Sequence, residues 1–347
     1  MNLDNEFKGV FNLNNLVTAI IPTFKGARKL SCAIDSLINQ TYEPIEIIVV
    51  DDNEPSSLAR KQTEEILNNY KNSNIKYIKH DKNKNGAAAR NTGILNASGE
   101  YICFLDDDDF YLSDRVEKSL NELINNRTCD AIYCGVIIIN NEKICEVISA
   151  EKILTQKDIL LNQMAIGSGS NIFISRSVIN KLGGFDESFR RHQDLEFMLR
   201  FLKYFRITNL NEILIVKGIN GTDNTLHYKE LKITKGLFFE KFEKEINGLS
   251  KEEKHQFYKN QYGMLLLLAT KSKDKTYIKE AICNLKEYRE LNIKEKIFVF
   301  MGITKIYDSI FYKKSYDIYQ LLKQSNMKLN KCSLDKKTQQ KILKMIR

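Results

Sequence analysis

Apolar runs and helical spacings alternate along the first part of the chain. Val17 to Ile21 is a continuous apolar run that stops at Pro22, as expected of a strand buried on both faces of a sheet. Further strands are predicted at 45–50, 75–79 and 101–105, with helices between them at about 30–38, 57–69 and 87–96. Strands that alternate with helices at this spacing indicate βαβ crossovers and a mostly parallel sheet.

The pattern changes near residue 228. Before it, strands are predicted at 131–139, 144–148, 171–175, 207–210 and 213–217, a helix at 194–204 and a flexible loop at 167–170. After it, only long lysine-rich helical patterns follow. We therefore predict an α/β fold over residues 1–227, with a mostly parallel mixed sheet flanked by helices, and a basic α-helical C-terminal domain over residues 228–347.

The net charge divides at almost the same place. The 347 residues carry a formal charge of +9, but residues 223–347 hold 27 lysines and arginines against 15 aspartates and glutamates, a net +12. Residues 1–222 are slightly acidic, at −3. A strongly basic third bears on which partners the protein meets rather than on its fold.

Neither a membrane anchor nor a leader sequence is predicted. The longest apolar runs, such as 131–139 and 263–269, fall well short of the ~20 residues that span a bilayer. The N-terminus has no basic region leading into an apolar stretch, so a signal peptide is not expected. Seven cysteines without a Cys-x-x-Cys pair favour reduced, buried thiols. We expect a cytoplasmic protein, with peripheral contact to the inner face of the cell membrane as an open alternative.

Polar residues follow the predicted strands where the strands end. Pro22-Thr23-Phe24 ends the first strand, Asp51-Asp52 the second, and Asp106 to Asp109 the fourth. Ligands of parallel sheets bind beyond the carboxyl ends of the strands, where the strand order reverses. We expect these three segments to border one ligand site.

Four consecutive aspartates, Asp106 to Asp109, concentrate like charge, which costs free energy unless a cation binds. Hard divalent cations such as Mg²⁺ and Mn²⁺ bind carboxylate oxygens together with the oxygens of substrate phosphates. Side chains two residues apart in extended chain point the same way, so Asp106 and Asp108 could share one ion while Asp107 faces elsewhere. A solvated acidic turn is the alternative.

Two further polar features have both a functional and a structural interpretation. Asp52 could accept a hydrogen bond from a nucleobase or a ribose, or it could be a helix N-cap. The segment Asn85 to Asn91 is a glycine- and alanine-rich helix start, in which Arg90 could bind phosphate with its forked guanidinium. Neither feature is specific by itself.

Taken together, six segments resemble the family-2 glycosyltransferases, whose fold is called GT-A. The segments occur in the family's order and spacing over about residues 16–220. They are VTAIIPTF at 17–24, LINQTY at 37–42, IIVVDDN at 47–53, NGAAARNTGI at 85–94, SGEYICFLDDDDF at 98–110, and GGFDESF with RHQDLEFMLR between 183 and 200. Six ordered motifs are a far stronger signal than one short pattern.

The resemblance implies a site for a UDP-sugar donor. The family residue that matches Asp52 binds the nucleobase, usually uracil, and the segment that matches Pro22-Thr23-Phe24 lines the nucleoside pocket. Arg90 matches the family's Ala-Arg-Asn motif and is expected to bind the nucleotide sugar.

The resemblance also implies a divalent cofactor, Mn²⁺ or Mg²⁺. The family's Asp-x-Asp motif matches Asp106-Asp107-Asp108, where the family often has Ser or Ala in place of Asp107. Asp108 is the expected direct metal ligand, and Asp106 is expected near the ribose or the metal. Asp106 and Asp107 are also expected to contact the nucleotide sugar. A histidine sometimes completes the metal shell in the family, and His227 is placed for that role.

The catalytic base is implied by the same resemblance. The family's Glu-Asp or Gln-Asp pair matches Gln193-Asp194, and its aspartate takes the proton of the acceptor hydroxyl. One displacement without an enzyme nucleophile inverts the anomeric carbon. We expect transfer of a hexose or N-acetylhexosamine to a glycan or lipid-linked acceptor, in capsule, O-antigen or other cell-surface polysaccharide synthesis.

The basic C-terminal third allows two interpretations. Apolar residues at helical spacing run from Phe238 to Leu249 and from Ile297 to Leu322, with lysines between them. Such helices could pack on the catalytic core with a lysine-rich outer face, or they could lie on an anionic membrane. No nucleic-acid-binding motif accompanies the charge, so a nucleic-acid partner is not expected.

Two other classes of protein remain as alternatives. A nucleotidyltransferase on a similar sheet would also use aspartates and a metal, but it would need a glycine-rich basic loop after the first strand, where this chain has Pro22 to Gly26. A non-enzymatic sugar-binding module would need neither Asp194 nor the aspartate run. Sugar, linkage and oligomeric state are not predicted.

Overall fold

The structure is a computed structural model that describes residues 15–70, 74–140, 143–161, 168–218 and 227–304. The helical spacing predicted over residues 306–322 and the first residue of the predicted loop, Gly167, lie outside these ranges.

The described residues form a mixed α/β architecture. The strands are β1 (Val17–Thr23), β2 (Ile45–Asp51), β3 (Ile75–Lys79), β4 (Tyr101–Phe104), β5 (Asp109–Tyr111), β6 (Ala131–Asn140), β7 (Lys143–Ile148), β8 (Phe173–Ser175) and β9 (Ile207–Gly218). The helices are α1 (Ala27–Ile38), α2 (Leu58–Asn68), α3 (Gly86–Asn96), α4 (Arg115–Asn125), α5 (Gln156–Leu160), α6 (Arg176–Leu182), α7 (Gln193–Tyr204), α8 (Tyr228–Lys241), α9 (Glu243–Asn247), α10 (Lys251–Ser272), α11 (Lys275–Lys286) and α12 (Ile293–Thr304).

One sheet holds these strands in the order β3-β2-β1-β4-β8-β6-β9-β5, with β7 paired to β6. The pairs β1–β2, β1–β4, β2–β3 and β6–β9 are parallel. The pairs β4–β8, β5–β9, β6–β7 and β6–β8 are antiparallel. The mixed sheet flanked by helices agrees with the prediction. Because β2 and β4 lie on opposite sides of β1, the strand order reverses at β1.

Helices cover both faces of the sheet. Neighbouring residues of β1 point to opposite faces. Ile20 packs in a core that includes Ala89 of α3 and Phe197 of α7, whereas Ile21 packs in a second core that includes Leu30 of α1. Burial on both faces explains why the predicted β1 is a run of apolar residues without polar interruption.

Three details of the prediction are wrong. The two strands predicted at 207–210 and 213–217 are one strand, β9, whose register against β6 shifts near Gly135. The predicted flexible loop is a buried turn over residues 168–171, in which the Ser170 hydroxyl donates to Asp109 Oδ2 at 2.7 Å. Strand β5 and helix α4 were not predicted.

The C-terminal helices pack on the catalytic core. Phe238 of α8, Phe242 and Phe257 of α10 are buried in the same apolar core as Phe197 of α7. Packing on the core, one of the two interpretations of the basic region, is therefore correct for α8 and α10. Helices α10 to α12 share a further apolar core with Tyr228 at the start of α8.

Within the described ranges, no helix combines the length and the apolar character needed to cross a bilayer. Cys332 lies outside the described residues, and for the six cysteines within them the prediction of buried thiols is only half correct. Cys103, Cys129 and Cys134 are buried, whereas Cys32, Cys145 and Cys283 are exposed.

Candidate active site

The carboxyl ends of β1 and β4 meet where the strand order reverses, which is the expected ligand position in such a sheet. The turn after β1 contacts the aspartate run after β4, because the Phe24 N–H donates to Asp107 Oδ2 at 3.3 Å. A Cβ atom added to Gly26 would lie 1.8 Å from Asp107 Oδ2, so a side chain at this position would displace the Asp107 carboxylate. Two of the predicted segments are therefore in direct contact.

The predicted nucleoside-pocket residues differ in exposure. Thr23 is buried, Pro22 is half-buried and Phe24 is 41% exposed. The Lys25 N–H donates to Asn53 Oδ1 at 2.8 Å, which ties the β1 turn to the residues after β2. Phe24 thus presents an aromatic ring at the surface, beside the aspartate run.

Arg90 joins two predicted motifs that are far apart in sequence. Its Nη2 donates to Asp106 Oδ1 at 2.5 Å and its Nη1 donates to Gln193 Oε1 at 2.9 Å. The residue is 9% exposed, and its guanidinium lies 5.5 Å from the centre of the Phe185 ring. Both ends of the guanidinium therefore contact protein, so Arg90 positions Asp106 and Gln193. Its predicted contact with the nucleotide sugar stays a prediction.

The protein compensates the charges of Asp107 and Asp108 only in part. Burial, together with the charge of Asp106, raises the pKa of Asp107 to about 7. Burial and the charges of Asp106 and Asp107 raise the pKa of Asp108 to about 6, although Lys217 and Lys29 oppose this shift. A raised carboxyl pKa means that the surroundings disfavour the charged form, and a bound cation would reverse that effect.

The fourth aspartate of the run has a structural role. Asp109 is buried and accepts hydrogen bonds from the hydroxyls of Ser168 and Ser170, at 3.1 and 2.7 Å, and from the Gly218 N–H at 3.3 Å. Burial raises its pKa to about 7. Asp109 thus anchors the 168–171 turn and the end of β9, while Asp106 to Asp108 stay half-buried beside the β1 turn.

Asp52 is the centre of a hydrogen-bond network at the end of β2. Its carboxylate, 2% exposed, contacts His80 Nδ1 at 2.7 Å and accepts from the Lys84 N–H at 2.8 Å, Asn83 Nδ2 at 2.8 Å and the Asn85 N–H at 2.9 Å. Four contacts saturate the two carboxylate oxygens. The contact of Asp52 with a nucleobase stays a prediction. In that contact the base would approach a carboxylate that already binds the backbone and side chains of residues 80–85.

The alternative role of Asp52 as a helix N-cap is wrong. Ser57 caps α2, because its hydroxyl accepts a hydrogen bond from the Arg60 N–H.

The neighbouring Asp51 forms a second network, which sequence reasoning missed. It is fully buried and accepts hydrogen bonds from the Tyr77 hydroxyl at 2.6 Å and from the side chain of Asn53 at 2.8 Å. Arg60 Nε lies 3.1 Å from Asp51 Oδ2, the oxygen that also accepts from Tyr77. Tyr77 lies in the middle of β3 and His80 directly follows it, and these two polar rings at a strand next to β2 were the signal available in the sequence.

Asp194 lies in the first turn of α7, where the helix dipole favours a negative charge. The residue is half-buried, and its Oδ1 accepts from the Leu195 N–H at 3.0 Å. The helix starts after His192, which has a left-handed φ of 57°. Gln193, its neighbour, contacts Arg90, so the predicted base is one residue away from a direct link to the aspartate run.

The Gly-Gly-Phe segment is fixed between α3 and α7. Asn91 of α3 accepts from the Phe185 N–H at 2.7 Å and donates to the Phe185 carbonyl at 2.9 Å. Arg200 of α7 donates to the carbonyls of Gly183 and Gly184, and it pairs with the buried Glu196. These contacts explain why motifs separated by about a hundred residues form one site.

His227 is exposed and precedes α8. Among the residues that the structure describes, no group of three or more His, Cys, Asp or Glu side chains is arranged to hold a metal ion. Asp106 and Asp108 nevertheless offer the carboxylate oxygens that a hard divalent cation prefers, and the raised pKa of Asp108 shows that the protein alone does not stabilise its charge. The role of His227 as a ligand stays a prediction.

Fold and site together define a glycosyltransferase of the GT-A type. The family model described as glycosyl transferase family 2 matches residues 18–183. An uncharacterised glycosyltransferase of Rickettsia typhi is 31% identical over 301 residues, which cover 79% of this chain and 92% of that protein. The chain belongs to glycosyltransferase family 2.

A second relative has a defined reaction. The UDP-Glc:α-D-GlcNAc-diphosphoundecaprenol β-1,3-glucosyltransferase WfgD of Escherichia coli is 30% identical over 221 residues, which cover 62% of this chain and 83% of WfgD. Since these relatives are glycosyltransferases, the alternatives of a nucleotidyltransferase and of a non-enzymatic sugar-binding module lose support.

Solved structures share the fold. TarS 1–349 of S. aureus in complex with UDP-GlcNAc aligns with a TM-score of 0.54 at 16% identity, covering 89% of this chain and 90% of that one. A longer TarS chain aligns at 0.51, where 55% of its length is covered. The mannosyltransferase PcManGT of Pyrobaculum calidifontis, in complex with GDP-Man and Mn²⁺, aligns at 0.50 with 16% identity, covering 88% of this chain and 84% of that one. At these identities the likeness concerns the fold alone.

Proposed function

We propose that the protein is an inverting, metal-dependent glycosyltransferase that moves a sugar from a UDP-sugar to a hydroxyl of a glycan or lipid-linked acceptor. The observation that carries the proposal is the link through Arg90, which joins the aspartate run to the segment of the expected base. Donor and acceptor chemistry must be adjacent in a transferase, and this link brings their expected residues together.

On the donor side, Asp106 and Asp108 would hold Mn²⁺ or Mg²⁺, with His227 as a candidate further ligand, and Asp107 would contact the nucleotide sugar. When bound, the ion neutralises charge on the departing diphosphate as a Lewis acid. The nucleoside would lie against the β1 turn, Pro22-Thr23-Phe24, and the loop organised by Asp52. The complexes of TarS with UDP-GlcNAc and of PcManGT with GDP-Man and Mn²⁺ support this arrangement by analogy of fold.

On the acceptor side, Asp194 would act as the general base. Sugar transfer passes through a state with oxocarbenium character at the anomeric carbon, and the attacking hydroxyl must lose its proton. A carboxylate within hydrogen-bond reach of that hydroxyl typically contributes about 10²–10⁴-fold to the rate. The position of Asp194 at a helix N-terminus supports the role, because the dipole favours the charged form that accepts the proton.

The acceptor is proposed to be lipid-linked. WfgD, by its name, acts on a sugar attached to diphosphoundecaprenol. We infer the same class of acceptor for this chain, within the synthesis of a cell-surface polysaccharide such as capsule or O-antigen. The donor screen described below identifies whether a hexose or an N-acetylhexosamine is transferred.

The first test uses Asp194→Asn. We expect transfer to fall by about 10²-fold or more, because the amide cannot accept the proton, while UDP affinity with Mn²⁺ is unchanged. Transfer is measured with the donor found in the screen below and UDP affinity by calorimetry. Glu65→Gln, on the exposed side of α2, is the matched control and should leave both values unchanged. Normal turnover of Asp194→Asn would refute the base assignment.

The donor is tested separately. UDP-glucose, UDP-N-acetylglucosamine and the corresponding galactose donors are screened with Mn²⁺ by thermal shift and by release of UDP. We expect at least one UDP-sugar to raise the melting temperature in a metal-dependent way. If no nucleotide sugar has any effect, the proposed function is wrong.

We also propose peripheral contact with an anionic membrane through α12. Ile293, Ile297 and Phe300 of this helix are 76%, 55% and 61% exposed, at positions that share one helix face. Lys294 and Lys296 next to them are exposed as well. An exposed apolar face flanked by lysines is what an interfacial helix presents to anionic lipid.

The membrane proposal is tested by flotation of the full chain with vesicles of phosphatidylglycerol and phosphatidylethanolamine. Ile297→Glu with Phe300→Glu should abolish flotation. Leu95→Glu is the control, since Leu95 is 85% exposed on α3. Equal flotation of both variants would refute the role of α12, and a change in oligomeric state instead would assign the face to a second copy of the chain.

A further inference from the structure

One basic residue at the candidate site has no assigned role. Lys217 lies at the end of β9, directly opposite Asp109 of β5 in the antiparallel register. Its Nζ is 3.9 Å from Asp109 Oδ2, and its side chain is 25% exposed. Lys217 is therefore a largely buried cation beside the aspartate run, supplied by a strand that the sequence motifs do not include.

The end of β9 leaves this lysine little freedom to move away. A Cβ atom added to the next residue, Gly218, would lie 2.6 Å from the Asp108 carbonyl oxygen and 2.4 Å from Lys29 Nζ. The Gly218 N–H also donates to Asp109 Oδ1. The backbone of β9 thus packs directly against the aspartate run, which places the Lys217 side chain beside it.

The charges around Lys217 come from both halves of the site. Burial alone would lower its pKa, but the carboxylates of Asp109, Asp106, Asp108 and Asp194, in decreasing order, outweigh burial and raise the pKa above the ordinary lysine value. The ammonium thus interacts with the expected metal ligands and with the expected base. In a transferase the bond to be broken lies between these two groups.

We propose that Lys217 is a fixed cation of the donor site that contacts the diphosphate of the bound nucleotide sugar. The inference rests on the proposed function. An ammonium is a compact point charge that suits phosphate oxygens, and in a partly buried site it is screened only weakly by solvent. Before a metal binds, the Lys217 ammonium also reduces the repulsion within the aspartate run, since it offsets part of the negative charge.

The proposal predicts two effects of opposite direction when the charge is removed. A divalent cation is repelled by the ammonium, so Lys217→Gln should bind Mn²⁺ alone more tightly, by about tenfold. A diphosphate is attracted by the ammonium, so the same variant should bind UDP in the presence of EDTA more weakly, by about tenfold. A lysine with a purely structural role would weaken both affinities together with the melting temperature.

The experiment is a set of calorimetric titrations on the full chain. Mn²⁺ alone, UDP in EDTA and uridine in EDTA are titrated into the wild type, Lys217→Gln and Lys217→Arg. The arginine variant should keep metal-free UDP affinity near the wild-type value, and uridine affinity should be unchanged throughout. Lys79→Gln is the control, because Lys79 has an exposed side chain on β3.

The outcomes separate this inference from the proposed function. If wild-type protein binds no UDP with or without Mn²⁺, the proposed function itself fails. If wild-type protein binds UDP but Lys217→Gln has unchanged metal-free UDP affinity, or weaker Mn²⁺ affinity, the role of Lys217 is refuted. If metal-free UDP affinity is too low to measure, the role of Lys217 is tested by the Mn²⁺ affinity and by the UDP affinity at saturating Mn²⁺. We expect Lys217→Gln to bind Mn²⁺ more tightly and UDP more weakly than the wild type.

Discussion

Two acidic runs end neighbouring parts of the same sheet, and the structure treats them differently. Asp51-Asp52 follows β2 and Asp106 to Asp109 follows β4. The first pair is buried and its four oxygens are occupied by protein donors or by an ion pair. In the second run, Asp107, Asp108 and Asp109 all have raised pKa values, although Asp109 also accepts hydrogen bonds from Ser168 and Ser170.

The difference shows that the number of hydrogen-bond donors around an acidic turn decides whether its carboxylates stabilise the fold or stay available to a ligand. Donors to Asp52 come from His80 and from the residues just after β3, which fold back over the end of β2. The charge of Asp108 is compensated in part by the ammonium ions of Lys217 and Lys29. A saturated carboxylate stabilises the fold, whereas an unsaturated one is available to a ligand.

The largest expected effect is on ligand binding at the unsaturated run. Asp108→Asn should weaken UDP binding in the presence of Mn²⁺ by about 100-fold or more, because a metal oxygen ligand and its charge are lost. Its free energy of unfolding should be equal or higher, since one repelling carboxylate is removed. Calorimetry and urea denaturation measure the two quantities. Asp109→Asn is the comparison variant and should lower the free energy of unfolding. Equal changes in the free energy of unfolding for the two variants would contradict the different roles of Asp108 and Asp109.

The next effect is on stability at the saturated run. Asp52→Asn should lower the free energy of unfolding by about 2–4 kcal/mol, because a buried charge-assisted network loses its acceptor and the new amide faces two donors. Urea denaturation measures the loss. Asp81→Asn, in the same loop with a side chain 75% exposed, should change stability by less than about 0.5 kcal/mol. Equal stabilities of Asp52→Asn and wild type would contradict the structural role.

The smallest expected effect is on stability at a buried lysine, which extends the comparison of buried charges from carboxylates to a cation. Lys235 of α8 is 2% exposed and donates to Gln261 of α10, and burial lowers its pKa from 10.5 to about 7. A lysine with a lowered pKa in the folded state costs stability as the pH falls from about 10.5 to about 7, below which the cost is constant.

Lys235→Met should therefore raise the free energy of unfolding by about 1–2 kcal/mol at pH 7, a gain limited by leaving Gln261 unpaired. The gain should shrink as the pH rises towards 10, where the wild-type lysine is neutral in the folded protein. Denaturation at pH 7, 8.5 and 10 provides the test. Lys279→Met, at an exposed position of α11, is the control. A gain that does not depend on pH would show that the charge of Lys235 is not its cause.

The fold was predictable where burial on both faces of the sheet leaves an uninterrupted apolar run. This holds for β1 and β2, whereas the helices between the first strands were predicted from apolar residues at helical spacing. Strand β5 has only three residues and begins within the aspartate run, so no periodic pattern marks it. Strand β9 was divided in two because Asn211 and Glu212 interrupt the apolar pattern at exposed positions.

Which residues lie at this edge of the sheet was more predictable than the contacts among them. The motifs named Asp106 to Asp108, Arg90 and Asp194, and the structure brings the first four of these together through one guanidinium and one turn. Sequence could not show that Asp52 is saturated, because its partners depend on how residues 80–85 fold back. It could not show Lys217 either, because the antiparallel pairing of β5 with β9 joins residues 108 positions apart.

The bridge made by Arg90 has a thermodynamic consequence. A ligand that draws Asp106 towards itself works against a hydrogen bond whose donor is also held by Gln193, next to Asp194. If donor and acceptor bind as proposed, the free energies of their binding are linked, and the linkage is reciprocal: whatever donor binding does to acceptor affinity, acceptor binding does to donor affinity by the same factor. The size of that coupling would then be set by one side chain, Arg90.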